Sequence, residues 1–147
     1  MCCGTFNATS SNLGSTNAGS LLLGATTVAG QLFYVGPGEV TTRTVALAGT
    51  SGGATIDASG SGPLQLSTVS NSGAGAKTLT LRGFSTDMNI ITGTLANNGA
   101  NILTVTKTDS GLWVLAPSAP NTFTGALTVN QGMLGLNSNA VGPGGLT

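Results

Sequence analysis

The sequence predicts an all-β chain wound as a parallel β-helix, a β-solenoid with coils of about 24 residues. Three observations carry this prediction. The triplet LTL at Leu79–Leu81 returns as LTV at Leu103–Val105 and again at Leu127–Val129, two intervals of 24 residues. A second apolar series, Leu66, Ile91, Leu115 and Leu136, follows with steps of 25, 24 and 21. Within each period the residues alternate apolar and polar, which is the signature of strands with one buried face.

The strands follow in order as TVALAG (Thr44–Gly49), TIDAS (Thr55–Ser59), PLQLS (Pro63–Ser67), KTLTLRG (Lys77–Gly83), NILTVTK (Asn101–Lys107) and ALTVNQG (Ala126–Gly132). Their Thr, Val, Ile and Leu content suits a pleated surface. Gly, Asn and Pro separate them at 36–38, 52–53, 59–63, 71–75, 97–99 and 142–145, where turns are expected. Glycine and β-branched residues recur too often for a helical stripe. A β-sandwich also has short alternating strands, but its strands need not repeat at constant spacing. A solenoid must repeat, because each coil stacks on the last. At this period about six coils fit the chain, residues 21–147 forming the solenoid and residues 1–20 a polar N-terminal arm or cap.

The register yields a side-chain map. If Leu79, Leu103 and Leu127 superpose, so do Leu81, Val105 and Val129; both columns face the core, and Thr80, Thr104 and Thr128 line the outer face. Asp57 then falls beneath Arg82, an expected ion pair between neighbouring coils.

Composition limits the function classes. Glycine accounts for 24 residues and charged residues for only 5% of the chain; disordered segments are typically charged and poor in β-branched residues, so an ordered chain is expected. The net charge is zero and the four cations are scattered. That excludes the basic patch a nucleic acid needs. Leu21–Leu23 is the longest obvious apolar cluster, far below the roughly 20 residues of a membrane-spanning helix. The N-terminus MCCGTFNATSSNLGS has neither the cationic start nor the apolar centre of a signal peptide. Cys2 and Cys3 are adjacent and close no loop; incidental thiols are the plain reading, and a link to another chain or a lipid site, for which the preceding signal sequence is absent, the sharper one. With no histidine, the common zinc and general-base chemistries are largely closed.

Residues 103–136 carry a more specific pattern: Thr106-Lys107-Thr108, Ser110-Gly111, Trp113, Leu115, Asn121-Thr122-Phe123-Thr124-Gly125, Val129-Asn130, Gly132, Leu134 and Leu136. This stretch resembles the autotransporter-associated β-strand repeat, also called the passenger-associated transport repeat. The resemblance implies a right-handed β-helix of the kind found in exported bacterial surface proteins, with no catalytic residues of its own. It implies that Trp113 and Leu115 point inward, although Leu112 and Val114 are apolar too. It further implies turns held by Asn121, through side-chain bonds to the backbone, and by Gly125, through tolerance of unusual dihedrals, with Asn130 and Gly132 in the next turn. The link Ala116-Pro117-Ser118-Ala119-Pro120 is richer in proline than the family pattern, and two prolines there make a stiff loop expected rather than a strand.

The expected core is therefore Leu79, Leu81, Leu103, Val105, Trp113, Leu115, Phe123, Leu127, Val129, Leu134 and Leu136. β-Helices also host carbohydrate-cleaving enzymes, which typically need two carboxylates about 5–9.5 Å apart. Glu39, Asp57, Asp87 and Asp109 form no tight sequence cluster. GPGEV (Gly36–Val40) and GPGGLT (Gly142–Thr147) lack the strand-to-helix context and the Lys-Ser/Thr of a phosphate loop. No catalytic, cofactor-binding or metal site is expected. The sequence points to a non-enzymatic extracellular or cell-surface scaffold, able to stack end to end with itself or with neighbouring repeats of a longer chain, since a solenoid ends in open strand edges. An adhesin or glycan-binding segment is the alternative; it would need exposed aromatics along one face, drawn from Phe6, Phe33, Tyr34, Phe84, Trp113 and Phe123.

Overall fold

The computed structural model of the chain describes residues 19–147. The expected arm falls almost entirely outside them, as do Cys2, Cys3 and Phe6. The described residues form eleven strands and no helix, so none of them forms a helix long and apolar enough to cross a membrane.

The strands are β1 (Leu21–Leu23), β2 (Gly30–Tyr34), β3 (Pro37–Leu47), β4 (Ala54–Ala58), β5 (Gly62–Asn71), β6 (Lys77–Arg82), β7 (Asn89–Ile91), β8 (Leu103–Lys107), β9 (Leu112–Leu115), β10 (Leu127–Val129) and β11 (Met133–Leu136). Odd-numbered strands form one sheet and even-numbered strands the other, and every neighbouring pair within a sheet is parallel. The chain therefore alternates between two sheets as it climbs, completing one coil for every two strands. This is a β-solenoid of about five coils, with β11 opening a further rung. The described residues thus hold about five coils, against the six expected for the whole chain.

Alternation selects the core. In β6 and β8, Lys77, Leu79, Leu81 and Leu103, Val105, Lys107 are buried, while the threonines between them are more exposed. The interior is a continuous stack that includes Leu47, Ile56, Leu64, Leu66, Leu79, Leu81, Ile91, Val105, Leu115, Phe123 and Leu127, with Trp113 its largest member. Each fully buried side chain of this size contributes about 1.5–3 kcal/mol through removal from water.

The observed register corrects the sequence map. Leu66, Ile91, Leu115 and Leu136 do lie in one column. The LTV triplets do not superpose: Leu79 pairs with Val105, and Val105 with Leu127. The coil from Leu79 to Val105 therefore takes 26 residues and the next, from Val105 to Leu127, takes 22. Their mean of 24 conceals the difference. The extra length sits at Asn98–Asn101, a tight turn closed by an antiparallel bridge with Gly99 at φ 59°. A slip of two residues preserves the facing of every side chain, because the strand period is two. The outer column consequently runs Thr55, Thr80, Thr106, Thr128, while Thr104 pairs with Thr78.

Two expected core residues are not in the core. Val129 and Leu136 are each 37% exposed, and Leu134 is half-buried against the cluster. Val129 lies in β10 and the leucines in β11, at the end of the stack where no further described coil covers them. A further difference concerns Pro37, expected in a turn: it begins β3, at the start of the strand where a missing N–H is tolerated.

Candidate functional site: the charged corner

Where the chain turns from the even-numbered sheet back to the odd-numbered one, charge gathers. Arg82 Nε lies 3.0 Å from Asp57 Oδ2 and 3.1 Å from Asp109 Oδ2. Asp57 is placed directly by register, since it pairs with Arg82 between β4 and β6. Its other oxygen accepts a 2.6 Å hydrogen bond from Ser59 Oγ. Asp109 reaches Arg82 from the opposite side. It follows the end of the β6–β8 pairing at Leu81 and Lys107, and its backbone bends back through φ 59°, a left-handed conformation that Asp adopts more readily than most residues. Three successive coils are thereby joined as Asp57, Arg82, Asp109. Only the first pair was legible as a spacing; the third member is hidden by the uneven coil length.

Lys107 lies behind this ladder. It occupies the core position above Leu81 and is 0% exposed. Its ammonium donates to the carbonyl oxygens of Thr108, Asp109 and Gln131, so its three donors meet three turn carbonyls. Burial lowers its pKa from 10.5, and the nearby Asp109 charge opposes that shift. Lys77 repeats the device at another turn, donating to Gly73 O at 2.6 Å, Ala74 O at 2.9 Å and Gly75 O at 3.2 Å; burial lowers its pKa as well. Both lysines share the inward phase of the leucines and valines beside them, which was the available sequence signal.

Trp113 ties the corner to the core. Its ring is buried and its Nε1 donates to Arg82 O at 2.9 Å. Leu115 and Phe123 are buried beside it in the same core cluster, whereas Leu112 and Val114 are half-buried.

Asparagine side chains join coils elsewhere. Asn121 Oδ1 accepts from Leu95 N at 2.7 Å and its Nδ2 donates to Ala140 O at 2.6 Å, bridging the coils on either side. Asn89 bridges in the same way from Leu64 N, at 2.9 Å, to Leu112 O, at 2.9 Å. The Asn130 N–H donates to Lys107 O at 2.9 Å. Gly132 has φ 79°, and a Cβ there would lie 2.2 Å from Asp109 O. Gly125 differs from expectation. Its φ is not positive; glycine is required because a Cβ would come within 2.4 Å of Leu103 O and of Thr104 Oγ1.

Chemically, the corner binds its own groups. Both carboxylates are engaged by Arg82, and no group of three or more His, Cys, Asp or Glu residues that could hold a metal ion occurs among the described residues. Phe33 and Phe84 are exposed at this corner, while Tyr34, Trp113 and Phe123 are buried.

No family model and no solved structure matches the chain, so the repeat pattern of residues 103–136 stands as a resemblance of that stretch. One relative is the Adhesin BmaC autotransporter of Brucella suis biovar 1 (strain 1330), 36% identical over 146 residues. The match takes in 95% of this chain but only 4% of that protein's length. Nearly the whole solenoid is thus similar to one short segment of an autotransporter adhesin.

Proposed function

We propose that the chain is a non-enzymatic stalk segment of an autotransporter-type passenger, displayed outside the bacterial cell, whose coils continue end to end into neighbouring coils. The observation that carries this reading is the similarity of almost the whole chain to a segment of an autotransporter adhesin. The geometry supports it. In a parallel solenoid each coil is a template for the next, and adding coils extends the body by about 4.8 Å each without altering those already formed. The final rung consists of β11 and the Leu146 segment, which lies on β10 through a parallel bridge. Met133, Leu136 and Leu146 are exposed there, and at the other end of the stack Leu22 and Val28 are exposed. Continuation by another coil, from the same longer chain or from a second copy, would bury such side chains and pair the strand edges.

Two measurements test this. Immunogold labelling of intact cells that carry the gene, with antibodies raised against the folded chain, should decorate the outer surface; label only in permeabilised cells would overturn the surface assignment. Cryo-electron microscopy of the purified chain over a concentration series should show rods lengthening by end-to-end addition, with an axial repeat near 4.8 Å. Discrete particles at every concentration would exclude self-stacking.

A further inference from the structure

We infer that the charged corner carries a binding surface for an uncharged oligosaccharide, built from Phe33, Val35, Arg82 and Phe84. Phe33 pairs with Asp57 and Asp57 with Arg82, so one outward column runs Phe33, Asp57, Arg82 over three coils. Beside it Ser59 N donates to Tyr34 O at 3.0 Å, setting Ser59 over Val35; in the next coil Ser85 N makes the matching bond to Ala58 O at 3.1 Å, and Phe84, whose N–H donates to Ser59 Oγ at 3.3 Å, sits next to Ser59 outside the ladder. Phe33 is 58% exposed, Val35 62% and Phe84 63%. Two aromatic side chains therefore stand two coils apart, on the order of 10 Å, on one corner, with a polar floor between them.

The floor is pre-ordered. Asp57 Oδ2 and Asp109 Oδ2 lie 3.0 and 3.1 Å from Arg82 Nε, ion-pair contacts that flank the guanidinium although the buried Nε makes no hydrogen bond. The Arg82 side chain is 40% exposed, so the guanidinium flanked by the two carboxylates is reachable from solvent. Holding it in advance reduces the entropy lost when a ligand arrives. Apolar faces flanking a few fixed polar groups are the general composition of a ligand site. A sugar ring matches it: its C–H face covers an aromatic ring while its hydroxyl oxygens accept from the guanidinium.

Charge selects among ligands. Asp57 and Asp109 balance Arg82 and Lys107 within the corner. A balanced site offers no excess positive charge to a nucleic acid or a sulfated polymer. The inference rests on the surface reading above, which would set the corner where extracellular oligosaccharides can reach it.

The test is a glycan array of neutral and acidic oligosaccharides probed with the purified chain, followed by calorimetric titration of the retained glycans. Neutral glycans should bind with an affinity insensitive to salt. Phe84→Ala and Phe33→Ala should each weaken binding about tenfold or more, a loss of about 1.4 kcal/mol. Phe84→Tyr, which retains an aromatic face, should bind like the parent, and Met133→Ala, on an exposed residue of the end rung, should change nothing. Thermal melts of the Phe variants should match the parent, separating lost contact from lost folding. Retention of no neutral glycan, binding unchanged in the Phe33→Ala/Phe84→Ala double variant, or affinity that collapses with salt would each overturn the inference. None of those results bears on the surface labelling that tests the stalk.

Discussion

The second and third coils and the fifth coil reach the same fold by different means. β3 and β5 are 11 and 10 residues long and pair along most of their length, so the early coils are joined chiefly by backbone ladders. β9 and β10 have only 4 and 3 residues, and between them the Pro117–Pro120 link forms no strand. There the joining passes to side chains: Asn121 bridges Leu95 and Ala140, while Asn137 and Asn139 both donate to Pro117 O. An amide side chain presents an acceptor and two donors and can therefore stand in for a missing peptide group in the inter-coil ladder. Stacking fixes the height of a coil but not the chemistry that joins it to the next.

The largest effect should come from the fifth coil's apolar anchor. Trp113→Ala removes the largest buried side chain and the bond to Arg82 O, and should cost about 3–5 kcal/mol in chemical denaturation. Asn121→Ala leaves a buried N–H and a carbonyl unpaired and should cost about 2–4 kcal/mol. Asn71→Ala, at the end of the ladder-joined β5, removes only a 3.4 Å contact to Asn101 O and should cost under about 1 kcal/mol. Equal losses at Asn121 and Asn71 would show that the late coils depend on amide bridges no more than the early ones do.

A smaller effect concerns the buried lysines. Their folded pKa values lie below the ordinary 10.5, so between the two values the unfolded chain binds more protons and stability rises with pH. Denaturation midpoints should therefore climb as pH approaches 10.5 from below, and a Lys77→Met/Lys107→Met double variant should lose that rise. The smallest effect belongs to the charge ladder. Asp109→Asn keeps a residue tolerant of positive φ while removing one carboxylate, and should change stability by about 0–1 kcal/mol, less at high salt.

Much of this architecture was legible in the chain. Strand alternation and the rhythm of Leu66, Ile91, Leu115 and Leu136 translate directly into one observed column. Asp57 and Arg82 were readable because their coil has no irregularity: the β4–β6 pairing runs unbroken from Ala54 and Leu79 to Asp57 and Arg82. The register of the LTV triplets was not readable, since a 26-residue step followed by a 22-residue step has the same mean as two equal ones. Identical triplets concealed the shift. The same shift hid Asp109 from the ladder. The lysines stood in core phase in KTLTL and LTVTK, yet their burial depends on turn carbonyls that only the folded chain brings within reach. Exposure of Val129 and Leu136 follows from their place at the end of the stack, which alternation does not encode.

Cross-linking reads the coil register directly. In a background with Cys2 and Cys3 replaced by serine, Thr80→Cys/Thr106→Cys joins register partners on adjacent parallel strands, within the roughly 4.4–6.8 Å Cα separation a disulfide spans. Thr80→Cys/Thr104→Cys would join residues two positions out of register, about 8 Å apart and beyond that span. The uneven solenoid predicts rapid oxidation of the first pair and none of the second. Efficient cross-linking of Thr80→Cys with Thr104→Cys, and not with Thr106→Cys, would restore the even 24-residue coil and contradict the account.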